Sequence, residues 1–104
     1  MIDLSQEEWN LLIKEAANSF LLDVRTEEEF QEGHLADATC IDIRQPQEFM
    51  DAVQKLDKSK SYFIYCRSGA RSAQACQLLD QLGVIATYNL KGGILEWQGD
   101  LVSE

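Results

Sequence analysis

The sequence predicts an α/β fold in which helices cover both faces of a central, mostly parallel five-stranded sheet. Five short apolar segments alternate along the chain with segments of helical periodicity, as expected of strand–helix–strand units. The apolar segments are nearly continuous runs, which is typical of strands buried on both faces. A length of 104 residues fits one domain, which we place over residues 1–104.

The first predicted strand is the segment MIDL, residues 1–4. Ser5 and Glu8 then form a Ser-x-x-Glu capping box, which is a signal for a helix start. The apolar residues that follow have the spacing of an amphipathic helix and are Trp9, Leu12, Ile13 and Ala16. The segment SFLLDV, residues 19–24, is the second predicted strand.

A second capping box, formed by Thr26 and Glu29, predicts a short helix that Gly33 ends. The segment TCIDI, residues 39–43, is the third predicted strand. The helical stripe after it consists of Phe49, Ala52, Val53 and Leu56.

The strongest strand prediction is SYFIYC, residues 61–66, which is apolar or aromatic almost throughout. The next helix ends at Gly83, and its apolar stripe is Ala75, Leu78, Leu79 and Leu82. VIATY, residues 84–88, is the last predicted strand, and LKGGILEW, residues 90–97, is a turn with a short helix. Because sites in parallel sheets form beyond the carboxyl ends of the strands, the end of residues 61–66 is the expected place for one.

The overall charge narrows the classes of partner. Eighteen acidic and nine basic residues give a net charge of −9, which argues against binding to nucleic acid or to an anionic membrane surface. No apolar run approaches the roughly 20 residues that span a bilayer. The N-terminus MIDLSQEEWN lacks the basic start and apolar core of an export signal, so we expect a cytoplasmic protein.

The three cysteines, Cys40, Cys66 and Cys76, are predicted to be free thiols. Their odd number does not suit a disulfide framework. There is no Cys-x-x-Cys motif and only one histidine, so we predict no metal site and no dissociable cofactor.

Two of the nine basic residues, Arg67 and Arg71, lie within five residues of Cys66. Four residues with the sequence RSGA join the end of the predicted strand to a helix that starts near Arg71 or Ser72. Such a loop can direct several backbone N–H groups inward, and the positive end of the helix dipole lies beside them. A thiol at its centre would have a lowered pKa, and two guanidinium groups suit an anionic substrate. The alternative is that Cys66 is a small buried apolar residue at a strand end.

Three segments resemble a known family. CRSGAR, residues 66–71, followed by Ser72, resembles the active-site loop of rhodanese-like sulfurtransferases. The segment LLDVRTEEEFQEGHLADA, residues 21–38, resembles the Asp-Val-Arg and Glu-aromatic-x-x-Gly-His segments of that family. LKGGILEW, residues 90–97, resembles its closing Gly-Gly-aliphatic-x-x-Trp segment. One departure is that Ala36 and Asp37 stand where the family usually has Pro-Gly.

The resemblance implies a three-layer rhodanese-like fold and a sulfurtransferase that uses Cys66 as its nucleophile. The thiolate would take a sulfur from a small anionic donor such as thiosulfate, and a cyanide, thiol or protein-thiol acceptor would then remove it. The residues expected to bind substrate or stabilise the persulfide are those of the loop: Arg67, Ser68, Gly69, Ala70 and Arg71. We expect Arg67 to contact the donor, whereas Arg71 either does so or braces the loop.

Asp23, Arg25 and His34 also match family positions, but each has a structural interpretation. Asp23 and Arg25 are possible supporting residues. Asp23 can hydrogen-bond the neighbouring loop, and Arg25 can pair with Glu29 four residues later. His34 is the one candidate for a Cys–His dyad, although the loop alone can activate the thiol.

The remaining thiols and three rival functions complete the alternatives. Cys40 and Cys76 are predicted to be structural, with Cys76 also a candidate resolving thiol. Phosphatases and arsenate reductases of the same fold use a Cys-x5-Arg loop, whereas Cys66 and Arg71 are separated by four residues, which makes a smaller cradle. The second rival function is a non-catalytic binding module. The third is a sulfur carrier that passes its persulfide to a protein thiol.

Overall fold

The computed structural model describes residues 1–103 and contains one five-stranded sheet in the order β1-β5-β4-β2-β3. The strands are β1 (Ile2–Leu4), β2 (Ser19–Asp23), β3 (Thr39–Cys40), β4 (Ser61–Tyr65) and β5 (Ala86–Leu90). All four strand pairs are parallel, with Leu22 opposite Ile64 and Ile64 opposite Asn89. The predicted α/β class and parallel sheet are confirmed.

Four helices connect the strands. They are α1 (Gln6–Glu15), α2 (Glu27–Glu32), α3 (Pro46–Gln54) and α4 (Ala70–Gln81), and a 3₁₀ turn spans Ile94–Glu96. Both predicted capping boxes are present: the side chains of Ser5 and Thr26 accept from the N–H of Glu8 and Glu29, whose carboxylates accept from the capping residues in return. These short-range signals fix where α1 and α2 begin.

The core lies on both faces of the sheet, because successive side chains of β4 point in opposite directions. Tyr62 and Ile64 pack with residues of α3 and α4, while Phe63 and Tyr65 pack on the other face with Trp9 of α1. All five side chains are almost completely buried. Helices therefore cover both faces, as predicted.

The third strand is shorter than the predicted residues 39–43 and contains only Thr39 and Cys40. Asp42 explains the difference, because its carboxylate accepts from Arg44 N–H at 2.8 Å and its carbonyl accepts from Gln45 N–H at 3.2 Å. An aspartate that bonds the backbone two residues later makes a turn, and the turn ends the strand.

The last strand begins two residues later than predicted. Val84 and Ile85 belong to the connection after α4, where their N–H groups donate to the carbonyls of Leu79 and Lys58. Pairing with β4 starts only at Ala86, opposite Ser61. In α1, Leu12 was predicted to lie on the core stripe, but its side chain is 36% exposed.

Asp37, at the departure from the usual Pro-Gly, adopts φ = 70°. This is the left-handed region, which glycine occupies without steric cost and aspartate tolerates better than most residues. Among residues 1–103, none of the helices is long and apolar enough to span a membrane. The assignment of residues 1–104 to one domain stays a prediction.

Candidate active site

Cys66 is the first residue after β4, which lies at the centre of the sheet between β5 and β2. Its side chain is completely buried and packs beneath the start of α4. The loop from Arg67 to Gly69 joins the strand to the helix, which begins at Ala70. Gly69 is the N-cap residue and has φ = 107°, a conformation in which a side chain would be strained.

Three donors of this loop and helix lie within hydrogen-bonding distance of the Cys66 sulfur. Gly69 N–H donates at 3.1 Å, Ser72 N–H at 3.3 Å and the Ser72 hydroxyl at 3.3 Å. Burial raises the pKa of the Cys66 thiol, but the hydroxyl of Ser72 and the N–H groups of Ser72, Gly69 and Ser68 together lower it more, so the pKa lies below its ordinary value. The arrangement stabilises an anionic sulfur.

The turn after β5 holds the cysteine loop from the other side. Ile94 N–H donates to the Cys66 carbonyl at 3.0 Å, and Leu95 N–H donates to the Arg67 carbonyl at 3.1 Å. Gly93, directly before Ile94, has φ = 59°, and a Cβ there would be 2.4 Å from the Arg67 carbonyl oxygen. Only glycine permits this close approach, which explains why the turn that follows β5 carries Gly93.

Arg71 braces the loop. Its guanidinium donates to both carboxylate oxygens of Glu29, at 2.9 and 3.1 Å, and so connects the first turn of α4 to α2. The hydrogen bond from Arg71 is the largest cause that lowers the pKa of Glu29 to about 2. This pairing is the contact expected of an arginine that braces the loop, and a role of Arg71 in binding substrate stays a prediction.

The predicted pairing of Arg25 with Glu29 is wrong. Arg25 instead forms a buried ion pair with Asp23, with Nη2 at 2.6 Å and Nε at 3.0 Å from its carboxylate oxygens. Asp23, the last residue of β2, is fully buried two residues before Arg25, whereas the carboxylate of Glu29 is bound by Arg71. Arg25 also donates to the Gly33 carbonyl at 2.8 Å, and its guanidinium lies 5.6 Å from the Tyr65 ring centroid.

Arg67 differs from Arg71 because its side chain is exposed and has no ion-pair partner within residues 1–103. It borders a cleft of about 330 Å³ beside the cysteine loop. The other residues that line this cleft are Arg25, Glu29, Glu32, Gly33, Ile94, Leu95 and Leu101. Ser68 on the same loop and Ala70 at the start of α4, also predicted as site residues, are exposed.

The other titratable candidates take no part in the hydrogen bonds to the Cys66 sulfur. His34 Nδ1 lies 2.8 Å from the Phe30 carbonyl oxygen, and its ring stacks on Phe30 with centroids 3.6 Å apart. Burial, with help from nearby carboxylates, raises the pKa of Cys40 to about 12. Burial likewise raises the pKa of Cys76 to about 12. Of the three thiols, Cys66 is the one favoured as a thiolate.

Sequence reasoning missed two polar residues of the site, Ser72 and Asn89. Ser72 follows the CRSGAR segment, and its position three residues from Gly69 marks it as part of the first helical turn. Asn89 lies in the interior of β5 with 5% exposure. A polar residue between Tyr88 and Leu90 in a central strand was the available signal, since buried polar groups require partners.

Comparison with known proteins places this geometry in a family. The rhodanese-like domain model matches residues 5–100. The protein YtwF of Bacillus subtilis is 41% identical over 81 residues, which cover 78% of this chain and 75% of that protein. The thiosulfate sulfurtransferase GlpE of Coxiella burnetii is 32% identical over 92 residues, covering 88% of this chain and 81% of that enzyme.

A solved structure agrees with these sequence matches. The crystal structure of a rhodanese-like domain protein from Staphylococcus aureus superposes with a TM-score of 0.84 at 28% identity and covers 100% of this chain and 99% of that one. The chain therefore belongs to the rhodanese-like domain family and has its fold, and sulfurtransferases are among its relatives.

Proposed function

We propose that the protein is a sulfurtransferase that moves a sulfane sulfur from thiosulfate or a persulfide donor to a thiol or cyanide acceptor through a persulfide on Cys66. The observation that supports it best is the set of three donors from Gly69 and Ser72 within hydrogen-bonding distance of the Cys66 sulfur. A sulfur in this position is stabilised as an anion before any substrate arrives, as a nucleophile requires.

In the first half-reaction, the Cys66 thiolate attacks the outer sulfur of thiosulfate. A bond forms between Cys66 Sγ and that sulfur, the bond to the sulfonate sulfur breaks, and sulfite leaves with the electron pair. N–H groups in the first turn of a helix lack intrahelical acceptors, so those of Ala70 and Arg71 are suited to the terminal sulfur of the persulfide anion. Arg67, exposed at the cleft, contacts the sulfonate group of the donor.

In the second half-reaction, a thiolate or cyanide attacks the terminal sulfur. The sulfur–sulfur bond of the persulfide breaks, its electron pair returns to Cys66 as the thiolate, and the product is a new persulfide or thiocyanate. The Cys66 persulfide is the product of the first half-reaction and the reactant of the second, so ping-pong kinetics are expected.

The test is the intact mass of reduced protein after incubation with thiosulfate, followed by addition of cyanide. We expect a mass gain of one sulfur atom, lost on addition of cyanide with release of an equal amount of thiocyanate. The Cys66→Ser variant should gain nothing, whereas Cys40→Ser, the matched control at a partly buried thiol with a raised pKa, should behave as the native protein.

Two outcomes would contradict the proposal. If the native protein gains no sulfur from thiosulfate or from a glutathione persulfide donor, the chain is a binding module of the rhodanese-like family. If Cys66→Ser gains sulfur as readily as the native protein, another thiol carries the chemistry.

A further inference from the structure

The Ser72 hydroxyl lies within hydrogen-bonding distance of three acceptors but has one proton to donate. Its oxygen is 2.5 Å from Asn89 Oδ1, 3.2 Å from the Gly69 carbonyl and 3.3 Å from Cys66 Sγ. Ser72 itself is completely buried, so water does not satisfy the acceptors in its place. The direction of this single O–H bond is therefore a choice between the amide and the sulfur.

Asp3 determines which atom of Asn89 faces Ser72. The Asn89 Nδ2 group donates to Asp3 Oδ1 at 3.0 Å and to the Gly69 carbonyl at 3.3 Å. A carboxylate only accepts, so the amide nitrogen must point toward Asp3 and the amide oxygen toward Ser72. The amide oxygen carries no proton, and the proton between it and Ser72 Oγ must come from the hydroxyl.

We propose that Asn89 is a positioning residue that holds the Ser72 hydroxyl proton while Cys66 is a neutral thiol and releases it to the sulfur when Cys66 becomes a thiolate or persulfide anion. The exchange follows from acceptor strength, because a neutral thiol is a weak acceptor and an anion makes a charge-assisted bond. The backbone N–H donors of Gly69 and Ser72 are fixed in direction, so the hydroxyl is the donor that can reorient when the charge on the sulfur changes. The persulfide part of this proposal rests on the proposed function.

Charged and titratable groups reach the cluster from three elements. Asp3 on β1 contacts Asn89 directly, and Arg71 on α4 interacts with Cys66 while paired with Glu29 on α2. Cys76 on α4 belongs to the same core cluster as Cys66, and burial raises its pKa to about 12. The test must therefore leave Arg71, Glu29 and Cys76 unchanged and follow Cys66 alone.

The experiment is an NMR titration of the ¹³Cβ resonance of Cys66, assigned with the Cys66→Ser variant, in four proteins. These are the native chain, Ser72→Ala, Asn89→Leu and the double variant. In the native protein, the Ser72 hydroxyl must give up its bond to Asn89 before it can donate to the sulfur. Asn89→Leu removes that cost, so it should lower the apparent pKa of Cys66. Ser72→Ala should raise it, and the rise should be larger in the Asn89→Leu background by roughly half to one pH unit.

The purely structural role of Asn89 predicts the opposite signs. If Asn89 only anchors the loop, its loss leaves the Ser72 hydroxyl without a fixed orientation toward the sulfur, and the pKa of Cys66 rises. Ser72→Ala then changes this pKa less in the Asn89→Leu background than in the native protein. Either of these results, or equal effects in the two backgrounds, overturns the proposal.

Asp3 supplies a second test in case Asn89→Leu fails to fold, because Asp3 is exposed on the short edge strand β1. Asp3→Ala frees the Asn89 amide to turn its nitrogen toward Ser72, which directs the hydroxyl proton to the sulfur. Asp3→Asn removes the same charge but keeps an acceptor for the amide. The pKa of Cys66 should fall further in Asp3→Ala than in Asp3→Asn, and identical values would contradict the proposal.

Neither titration uses a sulfur donor, so the two proposals can fail separately. The expected pKa pattern without any sulfur uptake from thiosulfate or glutathione persulfide rejects the proposed function and leaves the hydroxyl exchange of the thiolate standing. Sulfur uptake by Cys66 together with the opposite pKa pattern supports the proposed function and rejects the hydroxyl exchange.

Discussion

The two arginines of the cysteine loop, alike in sequence, have different surroundings. Arg71 makes a bidentate pair with Glu29, and its side chain is 16% exposed. Arg67 is exposed at the cleft and makes no ion pair within the described part of the chain, residues 1–103. A donor anion can therefore bind Arg67 without breaking an existing bond, whereas binding Arg71 would compete with Glu29.

Exchanging each arginine for glutamine should separate these roles. We expect Arg67→Gln to raise the KM for thiosulfate about tenfold, the value of one lost charge-assisted hydrogen bond, with a melting temperature near that of the native protein. Arg71→Gln should lower the melting temperature by several degrees, since it leaves the Glu29 carboxylate unpaired. Steady-state kinetics and thermal unfolding of both variants provide the measurement, and an unchanged KM in Arg67→Gln would remove Arg67 from the donor site.

Single residues were predictable where the determining neighbours are close in sequence. The loop around Cys66 is such a case, because its glycine and the following helix start are adjacent to the cysteine. Asn89 was not, since its bond to Ser72 spans 17 residues and requires α4 to pack beside β5. The prediction for Arg25 failed because the i,i+4 rule describes exposed helix pairs, and a buried carboxylate two residues away was the stronger partner.

Between elements, Glu29 has two tasks. It closes the capping box of α2 by accepting from Thr26 N–H at 3.0 Å, and it accepts both bonds from Arg71 at the start of α4. This one carboxylate thus sets the position of α2 against the active-site loop. Arg25 and Gly33, which flank α2, are thereby held in position relative to α4, the helix whose start lies over Cys66.

The contribution of Glu29 to stability should depend on pH with a definite sign. Its pKa falls from 4.5 in the unfolded chain to about 2 in the folded protein, mainly through Arg71. A carboxylate with a lowered pKa stabilises the fold above about pH 4.5 and loses that effect as the pH falls toward 2. Because the side chain of Glu29 is 25% exposed, we discount the effect for solvent screening to about 1 kcal/mol.

Glu29→Gln keeps a capping oxygen and removes the charge. Urea unfolding should show the variant to be less stable than the native protein by about 1 kcal/mol at neutral pH, with the difference shrinking as the pH approaches the folded-state pKa. Glu48→Gln, at the exposed first turn of α3, is the matched control and should change stability little. If the free energy of unfolding is lower by the same amount at neutral pH and near pH 2, the charge on Glu29 does not stabilise the fold.

The starts of α1 and α2 were predicted well, and the bounds of β3 and β5 less well. Capping boxes are local, so the first residues of α1 and α2 follow from the sequence. The bounds of β3 and β5 depend on which backbone groups meet a neighbouring strand. Residues 41–43 are apolar enough for a strand but turn at Asp42, and residues 84 and 85 bond to the α4 end and to Lys58 instead of to β4.

For the whole molecule, the charge distribution opposes the proposed donor. The chain carries a net charge of −9, and two of the three arginines near the site are already paired with carboxylates. Two arginines and two glutamates line the cleft, so its lining carries no excess of positive charge; they are Arg25, Arg67, Glu29 and Glu32. Thiosulfate is a dianion and must approach against the long-range field of the protein.

Screening of that field should therefore speed the first half-reaction. Raising the potassium chloride concentration from about 0.01 to 0.15 M shortens the Debye length from about 30 to 8 Å. We expect kcat/KM for thiosulfate to rise roughly threefold over this range, because repulsion from distant acidic residues is screened before the short-range attraction of Arg67. Alkylation of Cys66 by neutral iodoacetamide, measured in the same buffers, reports any change in the thiolate itself and should stay nearly constant. A fall in kcat/KM with salt would instead mean that the arginines at the cleft attract the donor over distances at which the net charge of −9 should prevail.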